Sequence, residues 1–194
     1  MTAPLDELLA EVRGCTVCAA HLPLGPRPVV QLGAGARLVI IGQAPGSKVH
    51  ESGVPWHDES GQRLREWLGI DAAAFYDPER VALMPMGFCY PGAAKGADLP
   101  PRPECAPLWH DRLLAELPER RLVLLVGMHA QARYLRSGAR TTLTERVRGF
   151  GAHLPTYFPL PHPSWRSTGW MSRNPWFQAD VLPALRRAAE AALA

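Results

Sequence analysis

The stretch RLVIIGQAPGSKVHESGVPWHDESGQRL, residues 37–64, decides how the rest of the chain reads. Its first part, LVII, is continuously apolar rather than alternating, as a strand covered on both faces requires. A Gly-Gln-Ala-Pro-Gly turn follows at residues 42–46 and opens like a phosphate loop, but no Lys-Ser or Lys-Thr pair closes it. Two histidines, two glutamates, an aspartate and Trp56 then crowd into a dozen residues. A buried strand that empties into so polar a loop points to a site at the strand's carboxyl end.

Working outward, three more short apolar runs stand at residues 81–84, 121–127 and 155–160. Segments with helical patterning separate or follow them at 60–68, 104–117, 129–136 and 178–193, and residues 1–14 read as an amphipathic helix. Asn174-Pro175 resembles a cap before the last helix, which Pro183 either kinks or truly starts. Strands alternating with helices predict a three-layer α/β/α sandwich around a central four-stranded, mostly parallel sheet. The loops beyond its strands are GQAPG, PMGFCYPG, GMHAQ and PHPSWRSTGW, where the unusual residues gather.

At 194 residues the chain suits one domain, 1–194, with 47% hydrophobic and 20% charged residues. No apolar run approaches a membrane span, and the N-terminus lacks a signal-peptide pattern, so a cytoplasmic monomer is the expectation. The net charge of +3 permits contact with nucleic acid without demanding it. Lys48 and Lys95 are the only lysines among many arginines, a bias that a GC-rich genome also produces.

Four cysteines are present: Cys15 and Cys18 in Cys-Thr-Val-Cys, then Cys89 and Cys105 around a Pro- and Gly-rich stretch. Spacing alone leaves a [4Fe–4S] cluster, a zinc site and unliganded thiols open.

Taken together and in order, these pieces resemble the iron–sulfur class, family 4, of the uracil-DNA glycosylase superfamily. Cys15 and Cys18 match its N-terminal cysteine pair, and residues 42–46 match its Gly-Glu-Ala-Pro-Gly turn. Gly53-Val54-Pro55-Trp56 and Gly61-Gln62-Arg63-Leu64 match its Gly-x-Pro-Phe segment and Gly-x-x-Leu helix. Cys89 and Cys105 stand sixteen positions apart as its later cysteines do, and His162-Pro163-Ser164 matches its His-Pro-Ser motif. The resemblance implies a DNA-repair glycosylase acting on DNA that contains a damaged base, with Cys15, Cys18, Cys89 and Cys105 holding a [4Fe–4S] cluster.

It also implies roles. Trp56 would stack on a flipped base, with Gly42, Ala44, Pro45 and Gly46 approaching base and sugar. His162 would stabilise the departing base anion, and Gln43 would position water. Ser164, Trp165 and Arg166 would meet DNA, joined by Arg173 and with Trp165 or Trp170 as a wedge; both tryptophans equally suit core packing. Two positions depart from the family. Gln43 stands where the class carries Glu, and an amide cannot ionise near neutral pH. Leu83-Met84-Pro85-Met86 stands where an Asn reads the uracil edge. Glu51 or Asp58 could supply the missing carboxylate, and the rival readings are a member that binds damaged or single-stranded DNA without cleaving it, or a redox protein unrelated to DNA.

Overall fold

The computed structural model describes residues 4–135 and 141–194. The first three residues of the expected N-terminal helix, and Arg136 at the end of the expected 129–136 helix, lie outside the described residues. Helix α1 (Pro4–Arg13) is followed by strand β1 (Leu38–Ile41), helices α2 (Ser47–Ser52), α3 (Glu59–Leu68) and α4 (Ala72–Phe75), and strand β2 (Val81–Leu83). A small hairpin, β3 (Ala93–Ala94) and β4 (Ala97–Asp98), precedes α5 (Cys105–Ala115). Then come β5 (Leu122–Val126), α6 (Met128–Tyr134), α7 (Leu143–Arg148), β6 (Tyr157–Leu160), α8 (Thr168–Arg173) and α9 (Leu182–Leu193).

The four main strands lie in the order β2-β1-β5-β6, all parallel, with Leu38 opposite both Val81 and Leu122, and Val123 opposite Tyr157. Gln31 adds an antiparallel bridge to Leu83 at the β2 edge, covering backbone groups that would otherwise be open. Alternate residues of each strand feed opposite layers. Val39 and Ile41 pack with Leu8 of α1 and Leu113 of α5, while Leu38 and Ile40 pack with Leu64 of α3 and Leu185 of α9. The unbroken apolar runs are therefore two half-strands of core in one, and the fold is the expected three-layer sandwich. Truncating Ile40, which is fully buried, to Ala costs about 2–5 kcal/mol.

From β1 the chain goes to β2 on one side and returns to β5 on the other. The loops after β1 and β5 therefore diverge, opening a crevice at the carboxyl ends of the strands. Helix starts are locally encoded: the Asp58 carboxylate accepts from the Gly61 N–H at 2.8 Å to cap α3, and Gly69, at φ 70°, ends it. Pro183 sits in the first turn of α9, where the chain passes from a wider helical turn into the α-helix. The preceding residues of the expected 178–193 helix form a wider π-helical turn, Phe177–Val181.

Candidate active site at the carboxyl ends of the strands

The chain leaves β1 through Gly42, and the Trp56 ring lies directly on that residue. A Cβ at position 42 would fall 2.6 Å from Trp56 Cζ2, so the contact requires glycine. Gly61 meets the same tryptophan from α3, where a Cβ would fall 1.7 Å from the Trp56 carbonyl oxygen. Trp56 itself is left-handed, with φ 57°, a conformation costing an L-residue about 1–2 kcal/mol. Tyr76 offsets that strain by donating its hydroxyl to the Trp56 carbonyl at 3.2 Å, and Arg65 donates to the Tyr76 oxygen at 3.2 Å.

His162 follows β6 after Pro161 and faces Trp56, the two rings stacked with centroids 5.8 Å apart and planes 29° from parallel. The loop that carries it is pinned from two elements. Gln131 of α6 donates to Leu160 O at 2.9 Å, and Arg63 of α3 donates to Ser164 O at 2.9 Å. Burial lowers the His162 pKa from its ordinary value, with Asp58 opposing, so the ring is neutral at pH 7 and holds one N–H to donate. A flat ring sandwiched between two others needs about 7 Å, two layers of aromatic contact, which the facing pair does not leave. The part of Trp56 that His162 leaves uncovered is therefore the surface open to a flat ligand.

In front of these rings lies a cavity of about 520 Å³, within the range of roughly 300–1,000 Å³ usual for small-molecule sites. Gln43, Asp58, Pro85 and Asp98 line it along with Trp56 and His162. The Gln43 amide donates to Leu99 O at 3.3 Å, so its N–H₂ ties down the loop after β4 and its carbonyl is not spent on that bond. Pro85 offers the cavity no amide, and its carbonyl accepts from His110 Nε2 at 3.0 Å on the buried side. The neutral His110 ring takes the Tyr134 hydroxyl on Nδ1 at 2.7 Å, burial having lowered its pKa to about 4. Behind the wall, Met86 N–H donates to Gly42 O and Gly87 N–H to Gln43 O, zipping the loops after β1 and β2 together.

A family model of the uracil DNA glycosylase superfamily matches residues 30–186, from the lead-in to β1 through the cavity into α9. The chain belongs to the uracil DNA glycosylase superfamily. Superfamily membership covers every cavity residue named above and points to DNA glycosylase chemistry. The matched range starts beyond Cys15 and Cys18, so it carries nothing about that pair.

At the mouth of this superfamily cavity, the segment WRSTGW divides. Trp165 is 74% exposed, while Trp170 packs edge-on against Trp176 and Phe177 and donates its indole N–H to Thr144 Oγ1 at 2.9 Å. Trp170 therefore joins the core that carries the C-terminal helices, and Trp165 is the one free to meet a ligand. Arg166 stands over the Trp165 ring and donates across the mouth to Gly96 O at 2.5 Å. Ser164 lines the cavity, and Arg173 is exposed on α8. Of the two expected substitute carboxylates, Asp58 lines the cavity but its Oδ1 is engaged as the α3 cap. Glu51 is exposed on α2 and lines no part of the cavity.

Four residues of the site escape the sequence reading: Asp98, Tyr76, Arg63 and His110. Asp98 had a readable signal. Lys95 and Gly96, at φ 52° and 75°, form the two-residue turn between Ala94 and Ala97. An X-Gly pair between short segments marks such a hairpin, but Lys in place of Asn or Asp obscures it.

The four cysteines come together away from this cavity. Cys15, Cys18, Cys89 and Cys105, all free thiols, line one small cleft beside Phe88 and Trp109. The Phe88 N–H donates to Cys105 Sγ at 3.3 Å, and the Arg27 backbone N–H is aimed at Cys89. Such N–H···S bonds favour thiolate and fit a cluster's sulfur ligands. Burial pushes Cys18 and Cys89 up and Cys105 to about 12, so these groups are protonated thiols unless a cation compensates them. Among the described residues no three His, Cys, Asp or Glu side chains are grouped closely enough to hold one metal ion.

Proposed function

We propose that this chain is a DNA glycosylase that hydrolyses the N-glycosidic bond of uracil or a related damaged base in DNA. The observation that carries the reading is the facing pair of Trp56 and His162 over a cavity at the topological switch point. A base flipped from the stack would lie on the uncovered Trp56 surface. The neutral His162 would donate its N–H to the oxygen on which charge develops as the base departs. Loop 42–46 would let the backbone reach the sugar, and the Gln43 carbonyl would orient water. Trp165 and Arg166 at the mouth, with Ser164 behind them, would receive the DNA strand.

The same proposal places a structural [4Fe–4S] cluster on Cys15, Cys18, Cys89 and Cys105. Their shared cleft and the backbone N–H groups aimed at two of the sulfurs support it. A cluster would supply cross-linking there, tying the segment after α1 to the loop after β2.

One observation favours a second reading, a member that holds damaged DNA without cutting it: position 43 bears no charge and its amide is partly spent on Leu99 O. A glycosylase assay across a panel of damaged bases, followed by alkali cleavage of the strand, separates the two. Cleavage of at least one base by wild type, lost in His162→Ala, supports the enzyme. Tight binding with no cleavage of any base supports the holder.

A further inference from the structure

Two carboxylates line the cavity, and their surroundings differ. Asp58 has Oδ1 fixed at 2.8 Å from the Gly61 N–H, where it caps α3 and helps seat Trp56. Asp98 lies at the end of β4, an exposed residue whose carboxylate is partly desolvated at the cavity wall, and among the described residues that carboxylate accepts no hydrogen bond from the protein. Asp98 Oδ2 would lie 3.5 Å from a Cβ at Gly46, which places it against the backbone turn that follows β1.

The hairpin that carries Asp98 is tethered on both sides of the cavity. Arg166 reaches Gly96 O from the loop after β6, and Gln43 reaches Leu99 O from the loop after β1. The residue that lacks the expected charge thus holds the strand that brings a charge in.

We propose that Asp98 is the general base for water, delivered into the cavity by the β3–β4 hairpin in place of the carboxylate missing at position 43. The assignment rests on the glycosylase reading above. In the step, Asp98 takes one proton from water as the water oxygen bonds to the sugar C1′. The C1′–N bond breaks with its electron pair leaving on the base, which His162 stabilises, and the proton on Asp98 passes to solvent. The groups around Asp98 suit this. Burial raises its pKa from the ordinary carboxylate value, Asp58 at the start of α3 adds to the rise, and Arg166 opposes it. A base poised nearer neutral pH is the more effective one.

The sign of the pH dependence follows. Protonating Asp98 removes the base, so the cleavage rate falls as pH drops through the raised Asp98 pKa. Protonating His162 adds a positive donor toward the departing anion and does not produce that loss.

The test is single-turnover cleavage by wild type, Asp98→Asn and Asp98→Glu on every base that wild type removes, at pH 4.5 to 8 in steps of about half a unit. Circular dichroism and DNA affinity report folding and binding of each variant. The expected result is a loss of about a hundredfold or more in Asp98→Asn. The acid limb should vanish, DNA affinity should persist, and Asp98→Glu should recover part of the rate. Asp98→Asn cleaving at the wild-type rate with the acid limb intact overturns the assignment while leaving the glycosylase reading standing. Wild type cleaving no base overturns both.

Discussion

Trp56 is held by two close glycine contacts that differ in what would have to move. The Gly42 contact is with the far edge of an indole, which can tilt, whereas the Gly61 contact is with the Trp56 backbone carbonyl, which Tyr76 also holds. Gly42→Ala should cost about 1–3 kcal/mol, the usual range for overpacking, with cleavage reduced because the ring is displaced. Gly61→Ala should cost more in stability than Gly42→Ala. Urea midpoints measured on both variants check the order, and equal costs would contradict the placement of Trp56. Gln43 belongs at this scale too. If its amide only ties the hairpin and orients water, Gln43→Ala should lower the cleavage rate less than His162→Ala does, read in the same single-turnover assay.

The site is assembled by elements that each borrow from another. The loop after β6 depends on Arg63 of α3 and Gln131 of α6, and the hairpin depends on the loops after β1 and β6. Arg166 braces Gly96 at the mouth, and under the proposed function it would also meet phosphate. Arg166→Ala should therefore weaken DNA binding across all sequences and reduce the slope of log affinity against log salt by about one. Fluorescence anisotropy over a salt series measures it, and unchanged binding would confine Arg166 to bracing the hairpin. Strands β1, β2, β5 and β6 were legible because an apolar run such as LVLLV has few alternatives, and Trp56 and His162 were legible from motif position. Tyr76, Arg63 and His110 were not, since each acts by reaching a backbone carbonyl of a distant element, which no local pattern records. Asp98 was hidden for another reason: Pro and Gly around it read as a loop without internal pairing. The split between Trp165 and Trp170 was equally illegible, because exposure of an aromatic depends on where α8 lands and not on the residue.

Across the whole molecule, two buried arrangements link stability to conditions. His110 is fully buried with a pKa of about 4, against about 6.5 in an unfolded chain. The unfolded state therefore binds a proton that the folded state refuses. Stability contributed by the neutral ring is whole above about pH 6.5 and is lost by roughly 3 kcal/mol as pH falls to about 4. Urea unfolding of wild type between those limits should show this slope, and His110→Phe should flatten it; parallel slopes would mean His110 is charged in the folded state. The cysteine cleft joins the chain after α1 to the start of α5. Protein purified without oxygen should carry about four irons per chain, falling in any cysteine-to-serine variant, whereas stoichiometric zinc without iron would contradict the cluster. The central claim remains the facing pair of Trp56 and His162 as a device for releasing a base. Its most direct test is single-turnover cleavage by wild type and His162→Ala on a panel of oligonucleotides, each holding one damaged base. Wild type should release at least one base, and His162→Ala should do so about a hundredfold more slowly or worse, with DNA affinity retained. Equal rates for the two proteins would contradict it.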